Sequence, residues 1–186
     1  MTNLFKDIFG KDINLIKLDM NQVHDMWKYS NDPKMYEHFE FGPPKSISDT
    51  KDYLKRLITR SNGIDAYWWF IQLKETKKIV GSFGVHDIDY HKKSCEISYG
   101  LSPSLWGKGV FINALNLVLD RFIRQFDFYR ITAVTSSNNI RSIKALKKIG
   151  FKEEGSFRDF YLKDNGVRYN ATILSLLAHE FQNFDS

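Results

Sequence analysis

The chain has 186 residues, of which 42% are hydrophobic, 15% aromatic and 26% charged. That composition predicts one globular domain over residues 1–186, with a core from about residue 13 to about 181, and excludes a disordered chain, which buries too little apolar surface to offset its entropy. Cys95 is the only cysteine, which excludes a disulfide-stapled scaffold, and the 27 Lys and Arg against 22 Asp and Glu (net +5) are scattered rather than gathered into a nucleic-acid-binding face.

In chain order, Ile13–Leu18 reads as a short strand and Asn21–Ser30 as a helix carrying Val23, Met26 and Trp27 on one face. Asn31-Asp32-Pro33 stops that helix, because proline disfavours helical geometry in the residue before it. Phe39–Pro44 is a loop. Ser48 is the expected N-cap of a second helix with Tyr53, Leu54, Leu57 and Ile58 on its buried face, ended by Ser61-Asn62-Gly63. Strands are predicted at Tyr67–Leu73, Lys78–Val85 and Ser94–Leu101, with hairpin links Glu75–Lys77 and Tyr90–Lys93.

The pattern then changes. Phe111, Ala114, Leu115, Val118, Leu119, Phe122 and Ile123 form the apolar stripe of a helix packed on a sheet. Arg130–Thr135 is a strand, and Ile140–Ile149 a helix ended by Gly150. Phe157–Lys163 and Val167–Leu177 are strands joined by Asp164-Asn165-Gly166, where Asn-Gly predicts positive φ at both residues. The fold class is α+β: a mostly antiparallel twisted sheet of about seven strands, about four helices, and a central strand–helix–strand unit. No apolar run approaches the ~20 residues of a membrane span. Residues 1–14 lack the order of a signal peptide, so a cytoplasmic setting is expected.

The stretch with most chemical content is Leu101-Ser-Pro-Ser-Leu-Trp-Gly-Lys-Gly-Val-Phe111, which leaves a strand and opens the amphipathic helix. Gly107 and Gly109 let backbone approach a ligand closely, and the helix start supplies unpaired N–H groups with partial positive charge. Together they suit a pyrophosphate, with Lys108 adding charge. The same residues also suit a tight strand–helix turn with no ligand. It is not a Walker loop, and Ile112 fills the third glycine position of a dinucleotide fingerprint.

With that stretch in view, the sequence resembles the GNAT superfamily of acetyl-CoA-dependent N-acyltransferases, in the branch of the ribosomal-protein N-terminal (alanine) acetyltransferases. The resemblance rests on Glu96-Ile-Ser-Tyr-Gly-Leu-Ser-Pro-Ser-Leu-Trp-Gly-Lys-Gly109 and on Asn139-Ile-Arg-Ser-Ile-Lys-Ala-Leu-Lys-Lys-Ile-Gly-Phe151, followed by Glu154-Gly155. It implies acetyl-CoA as co-substrate, held by Leu101, Trp106, Gly107, Lys108, Gly109, Val110 and Phe111, with Asn139 and Ser142 beside the pantetheine arm. Two departures stand out. Trp106 occupies the family's Gln or Arg position, and Phe111 its final small position, where Phe111 also fits the buried helix stripe.

Acetyl transfer to an amine needs a proton acceptor, a held amine, and stabilisation of the oxyanion and leaving thiolate. The resemblance makes Glu96 the candidate base; its other reading is a surface strand glutamate paired with Lys93. Ser142 is the candidate acid for the thiolate, or else a packed helix-face residue, since Leu146 stands where many relatives carry a tyrosine. Asn139 either bonds a pantetheine amide or simply starts a helix. His86, beside Asp87, is a candidate to face the acceptor cleft and bind the substrate, as is Glu96, and it has the intrinsic pKa of a base, but it also suits a polar surface position. Cys95 reads as a small core residue.

On the acceptor side, Trp27, Tyr36, Phe39 and Phe41, with Trp68 and Trp69, either line an aromatic wall or belong to the core. Asp32, Glu37 and Glu40 attract a cationic amine or are exposed loop charge. The function expected is acetyl-CoA-dependent N-acetylation of a primary amine, either a protein N-terminus or a small molecule such as an amino-sugar nucleotide. A non-catalytic CoA-binding module is the alternative from another class. No metal-ligand spacing is present, so no metal is expected; nor is a nucleic-acid or membrane partner, and the chain is expected as a monomer or homodimer.

Overall fold

β-Branched and aromatic runs make the strands, and stripes at helical spacing make the helices that cover them. A computed structural model describes residues 4–182. In chain order it contains β1 (Ile8–Phe9), β2 (Ile13–Lys17), α1 (Val23–Ser30), α2 (Ile47–Ser61), β3 (Tyr67–Leu73), β4 (Ile79–Asp89), β5 (Ser94–Leu101), α3 (Val110–Leu119), β6 (Arg130–Ser136), α4 (Ile140–Ile149), β7 (Lys152–Leu162) and β8 (Arg168–Leu177). The strands form one eight-stranded sheet in the order β1-β2-β3-β4-β5-β6-β8-β7. All neighbours are antiparallel except β5 and β6, which are joined through α3. The mixed α+β sheet with four helices agrees with expectation. The extra strand, β1, is two residues long and too short to show a pattern.

Period-two alternation sends neighbouring residues to opposite faces. Trp69, Ile71, Phe83, Val85 and Ile97 pack with Ala114, Leu115, Val118 and Leu119 of α3 and Leu146 of α4. Trp68 and Phe70 pack with Met26 and Tyr29 of α1 and Leu54 and Leu57 of α2. Both faces of the sheet are therefore covered.

Four local readings need correction. The cap of α2 is Ser46, not Ser48: Ser46 Oγ accepts from the Asp49 N–H, and the Asp49 carboxylate accepts from the Ser46 N–H. The stripe after α3 continues in a π-helical turn, Asp120–Gln125, which still buries Phe122 and Ile123. β7 starts at Lys152, before the expected Phe157, because an exposed edge strand needs no apolar alternation. In the β7–β8 turn only Gly166 has positive φ, 82°. Its N–H donates to the Lys163 carbonyl at 2.8 Å, as in a three-residue hairpin loop with a left-handed glycine.

β5 and β6 are paired only from Ser94↔Arg130 to Ile97↔Ala133. Beyond that point β5 runs on to Leu101 and β6 to Ser136 without pairing to each other. The split lies beside α4, whose first turn is capped by Asn139: its side-chain oxygen accepts from the Ser142 N–H at 3.2 Å. Gly150, at φ 106°, ends the helix as expected.

Candidate active site

Past Leu101, Pro103–Leu105 make one 3-10 turn and Trp106–Gly109 lead into α3. Trp106 folds back and donates its indole N–H to the Leu101 carbonyl at 3.0 Å. Gly107 and Gly109 sit at φ 75° and 79°, and a Cβ on either would meet no atom within 4 Å. The backbone angle, not crowding, requires glycine there, and the space above the loop is open. The first bond of the helix runs from the Asn113 N–H to the Gly109 carbonyl at 2.9 Å. The amides of Val110, Phe111 and Ile112 precede that bond and face outward from a helix N-terminus. These features fit a pyrophosphate. Lys108 is exposed and does not line the cleft, and the Val110 side chain is buried in the core.

A cleft of about 300 Å³ runs from this loop along α4, lined by Leu101, Trp106, Gly107, Gly109, Phe111 and Arg141 among others. A second, of about 240 Å³, opens on the other side, past Glu40, Glu96, Ser98 and Tyr161. The two share His38, Phe39, Tyr99, Asn139 and Ser142. At their junction the Tyr99 hydroxyl lies 2.6 Å from Ser142 Oγ. Burial pushes the Tyr99 phenol up to about 12, against the opposing pull of the Ser142 hydrogen bond. The Tyr99 ring is fixed by Phe111, with centroids 4.0 Å apart, so Phe111 both packs in the core and walls the cleft.

Glu96 is half-buried, and desolvation raises its carboxyl; His86 opposes the shift and Asp87 adds to it. Lys93, its expected surface partner, instead reaches the Phe126 carbonyl at 3.4 Å. His86 lies opposite Glu96 in the β4–β5 register. It lines neither cleft: its Nδ1 is 2.7 Å from the Asp87 carboxylate, and its ring stacks on Trp68. Asp87 adopts φ 50° in the irregular stretch of β4. His38 stands where the clefts meet, and burial lowers its pKa, with Lys163 and Arg141 pulling the same way against Glu37.

The expected aromatic wall is only partly present. Tyr36, Phe39 and Phe41 form a mutual ring cluster with centroids 5.5–5.9 Å apart. Trp69 is not on the acceptor side. It is fully buried on the α3 face and donates its indole N–H to the Lys6 carbonyl at 2.8 Å, because alternation turns it away from Trp68. Trp27 lies on α1 and lines neither cleft. Cys95 is a buried core residue whose thiol burial pushes up.

Several residues at the site had no role in the sequence reading: Tyr99, His38, Tyr161 and Arg141. Arg141 stacks 4.0 Å over the Trp106 ring and lines the first cleft. A cation in the first turn of α4, with none at position 106, was the available signal. For Tyr99 the signal was its face: it alternates with Ile97, toward the helix that carries Ser142.

A family model described as an acetyltransferase (GNAT) domain matches residues 13–152. The chain belongs to the GNAT acetyltransferases. An N-acetyltransferase of Bacillus licheniformis, p20, is 28% identical over 174 residues, covering 94% of this chain and 97% of that protein. Among solved structures, the microcin C7 self-immunity acetyltransferase MccE, in complex with acetyl-CoA and AMP, has a TM-score of 0.81 at 23% identity, covering 90% of this chain and 93% of that one. A Salmonella typhimurium acetyltransferase described as modifying the N-terminal serine of ribosomal protein L7/L12 has a TM-score of 0.82 at 16% identity, covering 92% and 99%. As a GNAT acetyltransferase the protein is an acyltransferase with acetyl-CoA as its co-substrate.

Proposed function

We propose that the protein moves the acetyl group of acetyl-CoA to a primary amine by direct attack within a ternary complex. The observation that carries this reading is the meeting of two clefts at the Tyr99–Ser142 pair, where β5 and β6 part. The amides of Val110, Phe111 and Ile112 would hold the pyrophosphate, and Arg141, stacked on Trp106, stands where a cation can join them. The amine enters from the second cleft. Its nitrogen bonds to the thioester carbonyl carbon, the carbon–sulfur bond breaks, and Glu96 takes the amine's proton. The leaving thiolate takes a proton from the Tyr99–Ser142 hydroxyl pair, which solvent replenishes.

The acceptor is a protein N-terminus or a small-molecule amine. The Salmonella neighbour, described as acting on an N-terminal serine, supports the ribosomal-protein branch. The AMP in MccE supports a nucleotide-linked acceptor such as an amino-sugar nucleotide. Glu96 and the Tyr99–Ser142 hydroxyl pair at the cleft junction favour transfer over the alternative of a non-catalytic CoA-binding module. Calorimetric titration with acetyl-CoA, CoA and 3′,5′-ADP, followed by thiol release with an amine panel, tests the reading. Micromolar acetyl-CoA binding with amine-dependent thiol release is expected, and no binding of any of the three ligands overturns it.

A further inference from the structure

Behind Tyr36 and Phe39 lies a cavity of about 160 Å³, bounded by α1, β3, β4 and β5. It touches Ser98, Tyr99 and Gly100, so it adjoins both clefts. The hydroxyl-bearing residues Tyr29, Ser30, Tyr36, Tyr53, Ser82 and Ser98 share its largely apolar wall with methionine and aromatic side chains. No charged side chain lines it. A second hollow of about 190 Å³ shares Ser30, Tyr36 and Tyr53 and adds Thr50; its charged residues, Asp49 and Arg56, are exposed.

The hydroxyls of Tyr29, Ser30 and Thr50 are buried, at 5%, 3% and 1% exposure, and none has a hydrogen-bond partner. Ser82 approaches Tyr29 and Ser30 approaches Tyr36 closely enough to bias the phenols, but without bonding geometry. Unpartnered buried hydroxyls are costly, and two of them, Tyr29 and Ser30, on one cavity next to a reaction centre imply a ligand that bonds them. Desolvation keeps Tyr29, Tyr36 and Tyr53 protonated, so the wall offers neutral donors and acceptors. An ionised group placed there would lose its water with no opposite charge to meet it. A space of ~150 Å³ holds one benzene-sized ring.

We propose that this cavity is the acceptor-body subsite and that it selects a primary amine whose body is small, uncharged and hydroxyl-bearing. The inference rests on the acetyltransferase reading above. Two sources present this chemistry: an amino-sugar ring, and the first residue of a peptide beginning with serine or threonine.

The test pairs matched amines on the full chain saturated with CoA for binding and with acetyl-CoA for turnover. One arm compares trans-2-aminocyclohexanol and glucosamine with cyclohexylamine and 2-aminocyclohexanecarboxylate. The other compares Thr-first with Val-first peptides. The hydroxylated member of one arm is expected to lead in kcat/KM by about 10-fold, the worth of one or two hydrogen bonds, and that arm names the source. Ser30→Ala and, separately, Tyr29→Phe should shrink the lead to under about 3-fold while leaving acetyl-CoA Kd unchanged. Both variants remove a hydroxyl without a partner, so they should fold at least as stably as the wild type. Equal rates for hydroxylated and deoxy amines in both arms, preference for the carboxylate-bearing amine, or no binding of any amine overturns the subsite. Selective calorimetric binding of the hydroxylated amine without acetyl transfer supports the subsite and overturns the transfer reading instead.

Discussion

The guanidinium of Arg141 lies 4.0 Å above the ring of Trp106, joining the first turn of α4 to the loop that opens α3. The indole is held from its other end by the Leu101 carbonyl. Trp106 is thus a platform, and the cation comes from a different element. Arg141→Ala should raise acetyl-CoA Kd by about 10-fold, from the loss of a charge-assisted contact and of its stacked support. The wild-type affinity should also fall with added salt more steeply than that of the variant. Calorimetry at two ionic strengths checks both.

The Tyr99–Ser142 pair should behave as one unit. Tyr99→Phe and Ser142→Ala are each expected to lower kcat by ~10²-fold, the lower range for a general acid. The double variant should be little worse than either single one, because removing one hydroxyl already breaks the pair. The KM for acetyl-CoA should stay near wild type. Additive losses in a double-mutant cycle would show two independent roles.

Glu96→Gln separates activity from stability. Burial raises the Glu96 carboxyl, so rate should climb with pH through a pKa above the ordinary glutamate value of about 4.3, and the variant should lose that limb. The stability effect has the opposite sign. A carboxyl whose folded pKa is raised binds its proton more tightly in the native state. The wild type therefore loses stability as pH rises from the unfolded pKa through the folded one. The variant should melt higher than the wild type at neutral pH, with the difference vanishing in acid. Thermal scans across pH, set beside pH–rate profiles, check both signs.

Two glycines should fail for different reasons when replaced by alanine. At Gly84 a Cβ would stand 2.1 Å from Trp68 Nε1, so Gly84→Ala overpacks the ring under His86, at a cost of about 1–3 kcal/mol. At Gly109 the Cβ meets open space but φ is 79°, so Gly109→Ala costs ~1–2 kcal/mol through backbone strain alone. Urea unfolding measures both. Only Gly109→Ala should also weaken acetyl-CoA, since it alone moves the α3 amides.

Local signals carried much of this architecture. The Ile140–Ile149 helix with its glycine stop, the order of the long strands and the loop at Gly107 and Gly109 were legible, because each depends on neighbours in sequence. Faces were harder. Adjacent Trp68 and Trp69 point to opposite sides of β3, and periodicity cannot say which side faces the acceptor. Ser46 and Ser48 flank Ile47, the first residue of α2, and the reciprocal bond with Asp49 decides between them. Contacts between distant segments left no local trace: Tyr99 with Ser142, Arg141 with Trp106, and the hydroxyls of Tyr29, Ser30 and Ser98 around one space.

The seam between β5 and β6 has a thermodynamic consequence. Four residue pairs hold it, against seven between β6 and β8, and it is where the sheet's first five strands meet its last three. A ligand laid along the parted strands would supply rungs the ladder lacks, and its binding energy would add to the cohesion of the whole sheet. Saturating acetyl-CoA should therefore raise the melting temperature and slow amide exchange in Ser98–Leu101 together, making the co-substrate a brace between the two halves of the protein as well as a reactant.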